Sequence, residues 1–321
     1  MILQFIIFLT GLGLLWLGAE LLVRYASRLA ASMGVSPVII GLSVVSMGTS
    51  APEMVVSIVA VIKGNAGISI GNIVGSNITN LGLILGIGAI IQPMQVKLNW
   101  VKREIPFMIV VSIVFIALAY FSFSLDRIDS IILLILMGFF LYYLGHYSAK
   151  EMASFKEYQE KLPKTSQEKS TELRKKILYL FLTLVGVGIL VFGSDVTVTS
   201  GKKIAEHFGV SDLVIGLTLV ALGTSLPELA TTLVAALRKE TDLLIGNVIG
   251  SNIFNLLLIG GVVPLIHPIA VDANLFHIQF PILLVLSILI WPMMRLNLNL
   301  QRYEGLLLLI LYFLFIYVTF R

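Results

Sequence analysis

Two glutamates, Glu53 and Glu228, each stand inside a long apolar run, in GLSVVSMGTSAPE (41–53) and GLTLVALGTSLPE (216–228). If such a run crosses a bilayer, an ionisable side chain within it costs at least about 2.5 kcal/mol and marks a functional site by default. A salt bridge would be the usual structural compensation, but no Lys or Arg lies deep in any apolar run. Two carboxylates without a basic partner need a cation or protons. At helical spacing Thr49, Ser50 and Glu53 share a face, as do Thr224, Ser225 and Glu228. Further along, Ser76 and Asn80 in IGNIVGSNITN (70–80) match Ser251 and Asn255 in IGNVIGSNIFN (245–255). Carboxylates, hydroxyls and amide oxygens are the hard ligands that Na+ and Ca2+ prefer, and Ca2+ takes about six to eight of them.

Proline precedes each glutamate. Pro52 and Pro227 remove a helical hydrogen bond and so free the carbonyls of Gly48 and Gly223, while Gly-Thr-Ser just ahead eases unwinding and exposes the Thr49 and Thr224 carbonyls. Broken helices with bare backbone are tolerated in a membrane only where they line a cavity. The pairs Gly71-x-x-x-Gly75 and Gly246-x-x-x-Gly250 are read as close helix packing rather than ion ligands. Asn72 and Asn247 are candidates for supporting the site. Glu20 and Asp195 lie near span ends and are left out of it.

The elements that must carry these residues are membrane spans. Of 321 residues, 58% are hydrophobic and 12% charged, far from the balance of a soluble domain. Stretches able to cross about 30 Å of hydrocarbon fall at roughly 2–23, 36–62, 68–92, 105–125, 128–146, 177–199, 210–237, 243–266, 274–294 and 304–320. The opening run has no basic n-region and no A-x-A site, so it is read as a retained span rather than a signal peptide. Connections after the odd-numbered spans hold 17 of the 22 Lys and Arg, and everything else holds 5. The positive-inside rule then places the first set in the cytoplasm and both termini outside, in a multi-pass protein of the cell membrane. The net charge of +4 is read as topology control, not nucleic-acid binding. Residues 147–176 form a solvated cytoplasmic linker between a first five-helix unit (1–146) and a second (177–321).

Comparison of the chain with itself at an offset of 175 aligns 34–80 with 209–255 without a gap, and 22 of 47 positions are identical. Shared Gly, Thr, Ser, Pro, Glu and Asn in register exceed what common hydrophobicity produces. Five spans per half is odd, so the second copy enters the membrane from the opposite side. The expected fold is all-α, with ten transmembrane helices as two inverted five-helix repeats, the architecture of secondary transporters with a midplane site.

G-T-S-x-P-E followed by G-S-N-I, twice, resembles the α-repeats of the sodium/calcium exchanger family within the cation/Ca2+ exchanger superfamily, in its prokaryotic form. The resemblance implies a central Ca2+ position held by Glu53, Glu228 and the carbonyls of Thr49 and Thr224. It implies flanking Na+ positions using Ser50, Ser76, Ser225, Ser251 and the carbonyls of Ser46 and Ala221, with Asn80 and Asn255 near the centre. Asn255 stands where several relatives, including the potassium-dependent branch, carry Asp, which points away from K+ co-transport.

The function expected is exchange of Na+ for Ca2+ by alternating access. Its closest rival is a Ca2+/H+ or other divalent/H+ antiporter, since buried glutamates also carry protons. Relatives of that kind tend to show G-N-x-x-E instead. A channel would pass current without a counter-ion. An enzyme lacks its parts: no histidine lies near Ser50 or Ser225 for a hydrolase, the four histidines make no i, i+4 pair, and there is no cysteine and no G-x-x-x-x-G-K-S/T run. No cofactor and no obligate protein partner are expected; Ca2+, Na+ and the bilayer are the partners.

Overall fold

In the computed structural model, which describes residues 2–98, 100–160, 166–208 and 221–319, the chain is an all-α membrane protein. Its helices are α1 (Ile2–Met33), α2 (Pro37–Thr49), α3 (Ala51–Ile62), α4 (Ala66–Ile91), α5 (Trp100–Ser122), α6 (Arg127–Glu160) and α7 (Ser166–His207). Beyond the undescribed stretch come α8 (Ala221–Thr224), α9 (Leu226–Leu237), α10 (Thr241–Ile266), α11 (Gln279–Asn297) and α12 (Arg302–Thr319). Among the described residues, eight helices are long and apolar enough to cross a bilayer, or nine with α2 and α3 counted as one bent span. The span expected over 210–237 is represented by α8 and α9, and its residues 210–220 lie outside the described residues. α1 runs ten residues past the expected end at 23. The expected linker is helical at 147–160 and 166–176, as its Glu, Lys, Gln and Ala favour.

Four short strands show how the halves are related. β1 (Met94–Gln95) pairs antiparallel with β4 (Asn299–Leu300), and β2 (Ser124–Leu125) with β3 (Ile269–Ala270). At the offset of 175, β1 corresponds to β3 and β2 to β4, so each sheet is the counterpart of the other. Because α5 alone separates β1 from β2, the two sheets lie at opposite ends of the molecule. Corresponding strands therefore sit at opposite ends, and the halves are inverted.

Helices α1 and α7, also counterparts, pack antiparallel along facing glycines. A Cβ on Gly18 would stand 2.6 Å from the Leu190 nitrogen, and one on Gly186 2.7 Å from the Leu22 nitrogen. Where lipid replaces water the hydrophobic effect no longer drives helix association, and such backbone approach supplies dispersion instead. In the centre, α10 meets α2 in the same way at Gly246 and Gly41. A Cβ on Gly250 would meet Ser46 Oγ at 2.6 Å. The packing role expected of Gly246 and Gly250 is thus met. A Cβ on Gly71 or Gly75 would find no described residue within 4 Å.

Candidate functional site

The site begins where two helices stop. α2 ends and α3 starts across Ser50, whose backbone (φ −82°, ψ 6°) leaves the helical region, and the axis bends by 41°. Ser225 does the same between α8 and α9 (φ −88°, ψ 7°). Sequence reasoning places each proline inside a kinked helix; the structure instead puts Pro52 and Pro227 in the first turn of a new one. There a missing N–H costs nothing and the fixed φ suits the helix. Glu53 and Glu228 consequently lie in the first turns of α3 and α9, where the positive end of the helix dipole favours a carboxylate. The Gly223 carbonyl that Pro227 leaves without a helical partner accepts a hydrogen bond from Ser194 Oγ of α7 at 2.8 Å.

The two breaks face each other. Ser50 Oγ donates to Glu228 Oε1 at 3.1 Å, and Ser225 Oγ donates to Glu53 Oε1 at 3.2 Å. Each serine of one half thus holds the carboxylate of the other. Ser251 Oγ reaches the same Glu228 oxygen at 3.4 Å, and Ser225 Oγ reaches Ser76 Oγ at 3.4 Å. Thr49 Oγ1 lies 3.4 Å from Ser251 Oγ and donates to Asn247 Oδ1 at 3.1 Å. Glu53 is 1% and Glu228 0% exposed, yet the second oxygen of each carboxylate has no hydrogen-bond partner. Both side-chain atoms of Asn80 and of Asn255 are likewise buried without one. Both asparagines sit in π-helical turns, Thr79–Ile84 and Asn255–Ile259, a local widening that recurs at functional sites. Buried polar atoms are nearly always satisfied. Four of these six are oxygens with lone pairs to offer, one on each carboxylate and one on each asparagine, a donor set that suits a cation.

Of the sequence-derived set, Thr49, Ser50, Glu53, Ser76, Ser225, Glu228 and Ser251 are joined by these bonds, and Thr224 Oγ1 extends them to Asn72 Oδ1 at 3.3 Å. Asn80 and Asn255 are buried outside the bonded network. The Ser46 carbonyl accepts from Ser50 N at 3.0 Å and Thr49 Oγ1 at 3.3 Å, and Ala221 opens α8.

A family model described as sodium/calcium exchanger protein matches residues 3–145 and 178–321, the two halves without the linker. The chain belongs to the sodium/calcium exchanger family. It is therefore a multi-pass membrane transporter and not an enzyme. It is 38% identical to the putative antiporter CaxA of Alkalimonas amylolytica, with 100% of this chain and 99% of that one covered. Against the sodium/calcium exchanger MaX1 of Methanosarcina acetivorans the identity is 33%, over 99% and 98% of the two chains. A solved form of the sodium-calcium exchanger NCX_Mj, soaked with 10 mM Na+ and zero Ca2+, matches with a TM-score of 0.83 at 34% identity, covering 98% of each chain.

Asn72 is more central to the exchanger than its sequence position suggests. Its Nδ2 donates to the Glu53 carbonyl at 3.0 Å and Ser57 Oγ at 2.9 Å while its Oδ1 accepts from Thr224, so one amide ties α4, α3 and α8. Asn247 does the corresponding work for Thr49. Their position just after the repeated glycine made them legible as support but not what they hold. Ser194 had no signal, because its counterpart is Ala19. Replacing Asn72 with Ala leaves the Glu53 carbonyl and the Thr224 hydroxyl without this partner. Ca2+ affinity is expected to fall about tenfold, the scale of one lost buried hydrogen bond, as read by titrating exchange against external Ca2+.

Proposed function

We propose that the protein exchanges Na+ for Ca2+ through this central cluster, with Glu53, Glu228 and the carbonyls of Thr49 and Thr224 taking Ca2+. Ser50, Ser76, Ser225, Ser251 and the carbonyls of Ser46 and Ala221 take Na+, with Asn80 and Asn255, buried and unpartnered, as further ligands near the centre. The observation that carries the reading is the pair of crossed serine–glutamate bonds, each leaving the far carboxylate oxygen unpartnered. Two formal charges balance one Ca2+, and the surrounding neutral oxygens replace its water. The same oxygens divided among Na+ ions make the two occupancies mutually exclusive. An empty, doubly negative site is too costly to pass through the membrane interior, so only loaded forms convert and exchange replaces leak. The asymmetry of Lys and Arg supports a cytoplasmic position for residues 147–176, with both termini outside the cell membrane.

The test is 45Ca2+ uptake into proteoliposomes loaded with Na+ and diluted into Na+-free medium, beside matched vesicles holding only a pH gradient. Uptake is expected with internal Na+ and not with the pH gradient alone; the reverse would assign the coupling to protons. With Asn255 in place of a third carboxylate, uptake is expected to be the same with and without K+. A requirement for K+ would overturn that part of the reading.

A further inference from the structure

Glu20 and Asp195 occupy corresponding positions on α1 and α7, and the offset that relates them also relates Lys63 to Arg238, the residues that cap the C-termini of α3 and α9. The repeat thus duplicates an acid on each long outer helix and a base at the end of each site-bearing helix. Only one of the two resulting pairs is made. Arg238 forks over Glu20, with Nε donating to Oε2 at 2.8 Å and a terminal nitrogen to Oε1, and Arg24 adds a contact at 3.2 Å one turn along α1. Asp195 and Lys63 are both exposed and no ion pair joins them.

The difference does not come from the turns that carry the bases. Lys63 (φ −83°, ψ 4°) and Arg238 (φ −85°, ψ −3°) have the same backbone, and each precedes a left-handed residue, Gly64 (φ 77°) or Lys239 (φ 60°). It comes from where the α1/α7 pair stands. α1 lies along α9, whereas the corresponding packing of α7 on α3 is nearly absent. Among the described residues, then, an outer helix of one half lies along the site-bearing helix of the other on one side only.

We propose that Glu20–Arg238 and Asp195–Lys63 are two alternately closed latches that hold the α1/α7 pair at either end of its travel, a proposal that rests on the exchanger reading above. Two halves of like sequence in unlike arrangements can exchange those arrangements. In the exchanged state α7 lies along α3, Asp195 meets Lys63, and Glu20 has left Arg238. A partly exposed ion pair contributes little, which is what a latch opened on every cycle requires. The two are also unequal: the guanidinium of Arg238 grips a carboxylate with two donors, whereas Lys63 offers a point charge. The arrangement closed at Arg238 is therefore the favoured one, and by the positive-inside reading it is closed to the cytoplasm.

The chain has no cysteine, so introduced thiols report alone. In the full-length protein in proteoliposomes, with Lys63→Cys and Asp195→Cys together, a short bifunctional thiol reagent is expected to bridge a minor fraction and to stop exchange in the bridged molecules. Adding Glu20→Gln is expected to raise the bridged fraction about threefold, the scale of a partly exposed pair. The charge swap Glu20→Arg with Arg238→Glu, in the same background, is expected to return it to the starting value. An unchanged fraction with Glu20→Gln would overturn the proposal. So would a swap that behaves like the single variant, since that is the mark of a merely structural residue. Bridging is read without any ion gradient, and 45Ca2+ uptake by the unaltered protein is measured beside it. Failure of the exchanger reading would appear only in the uptake.

Discussion

Glu53→Gln and Glu228→Gln are each expected to reduce Ca2+ exchange by at least about a hundredfold while leaving a folded protein in the membrane. Each change leaves one formal charge facing a divalent ion. It also replaces a free carboxylate oxygen with an NH2 group, which has no lone pair to offer the cation. A factor of a hundred is about 2.7 kcal/mol, less than the cost of leaving half the charge of a buried divalent ion unbalanced. The fold, in contrast, loses little. The amide oxygen of a glutamine at position 53 still accepts from Ser225, and one at position 228 still accepts from Ser50 and Ser251. Removing a buried charge also relieves its desolvation, so the melting temperature in detergent is expected to hold or rise. Exchange retained in both variants would place the ions elsewhere. Loss of exchange together with loss of the folded protein would mean that the carboxylates are structural.

How much of this site the sequence discloses depends on the range of the signal. Glu53 and Glu228 are legible one by one, because a charge inside an apolar run has few innocent explanations. Their kinship is legible because the halves keep Gly-Thr-Ser-x-Pro-Glu in register. The inverted arrangement follows from an odd number of spans, and β1 and β3 at opposite ends of the molecule agree with it. What spacing cannot carry is which helices meet. Thr49, Ser50 and Glu53 read as one face of one helix, yet Ser50 serves Glu228 across the molecule and Ser225 serves Glu53. The prolines illustrate the same limit. A proline removes the same hydrogen bond whether it kinks a helix or begins one, and only the backbone of Ser50 and Ser225 distinguishes the two. Asn72 bonds to α3 and α8, neither of which its own helical face could name. Helices α1 and α6 run on past the apolar stretches that mark their spans, because polar residues that leave the hydrocarbon need not leave the helix.

Gly246→Leu is expected to prevent the native fold, with a destabilisation above about 4 kcal/mol, a range reserved for specific structural failures. A Cβ at Gly246 would lie 2.9 Å from the Val38 carbonyl oxygen, 3.1 Å from Gly41 Cα and 3.2 Å from the Leu42 nitrogen. All three are backbone atoms of α2, so no flexible side chain can yield and the helices themselves must separate. The next residue, Asn247, holds Thr49 at 3.1 Å, and Ser251 stands one turn further along α10 at 3.4 Å from Glu228. Even a separation the fold survived would pull this half of the site from its partner. Gly13→Leu is the matched control: it adds the same side chain to a helix where nothing lies within 4 Å of the new Cβ. That variant is expected to fold and exchange normally. Size-exclusion profiles and melting curves in detergent distinguish the two, and equal behaviour would show that α2 and α10 have room to spare. The close contact at Gly246 also constrains how the transporter moves. Helices joined backbone to backbone beside the site resist separation, so on the proposed exchange mechanism α2 and α10 are expected to move together.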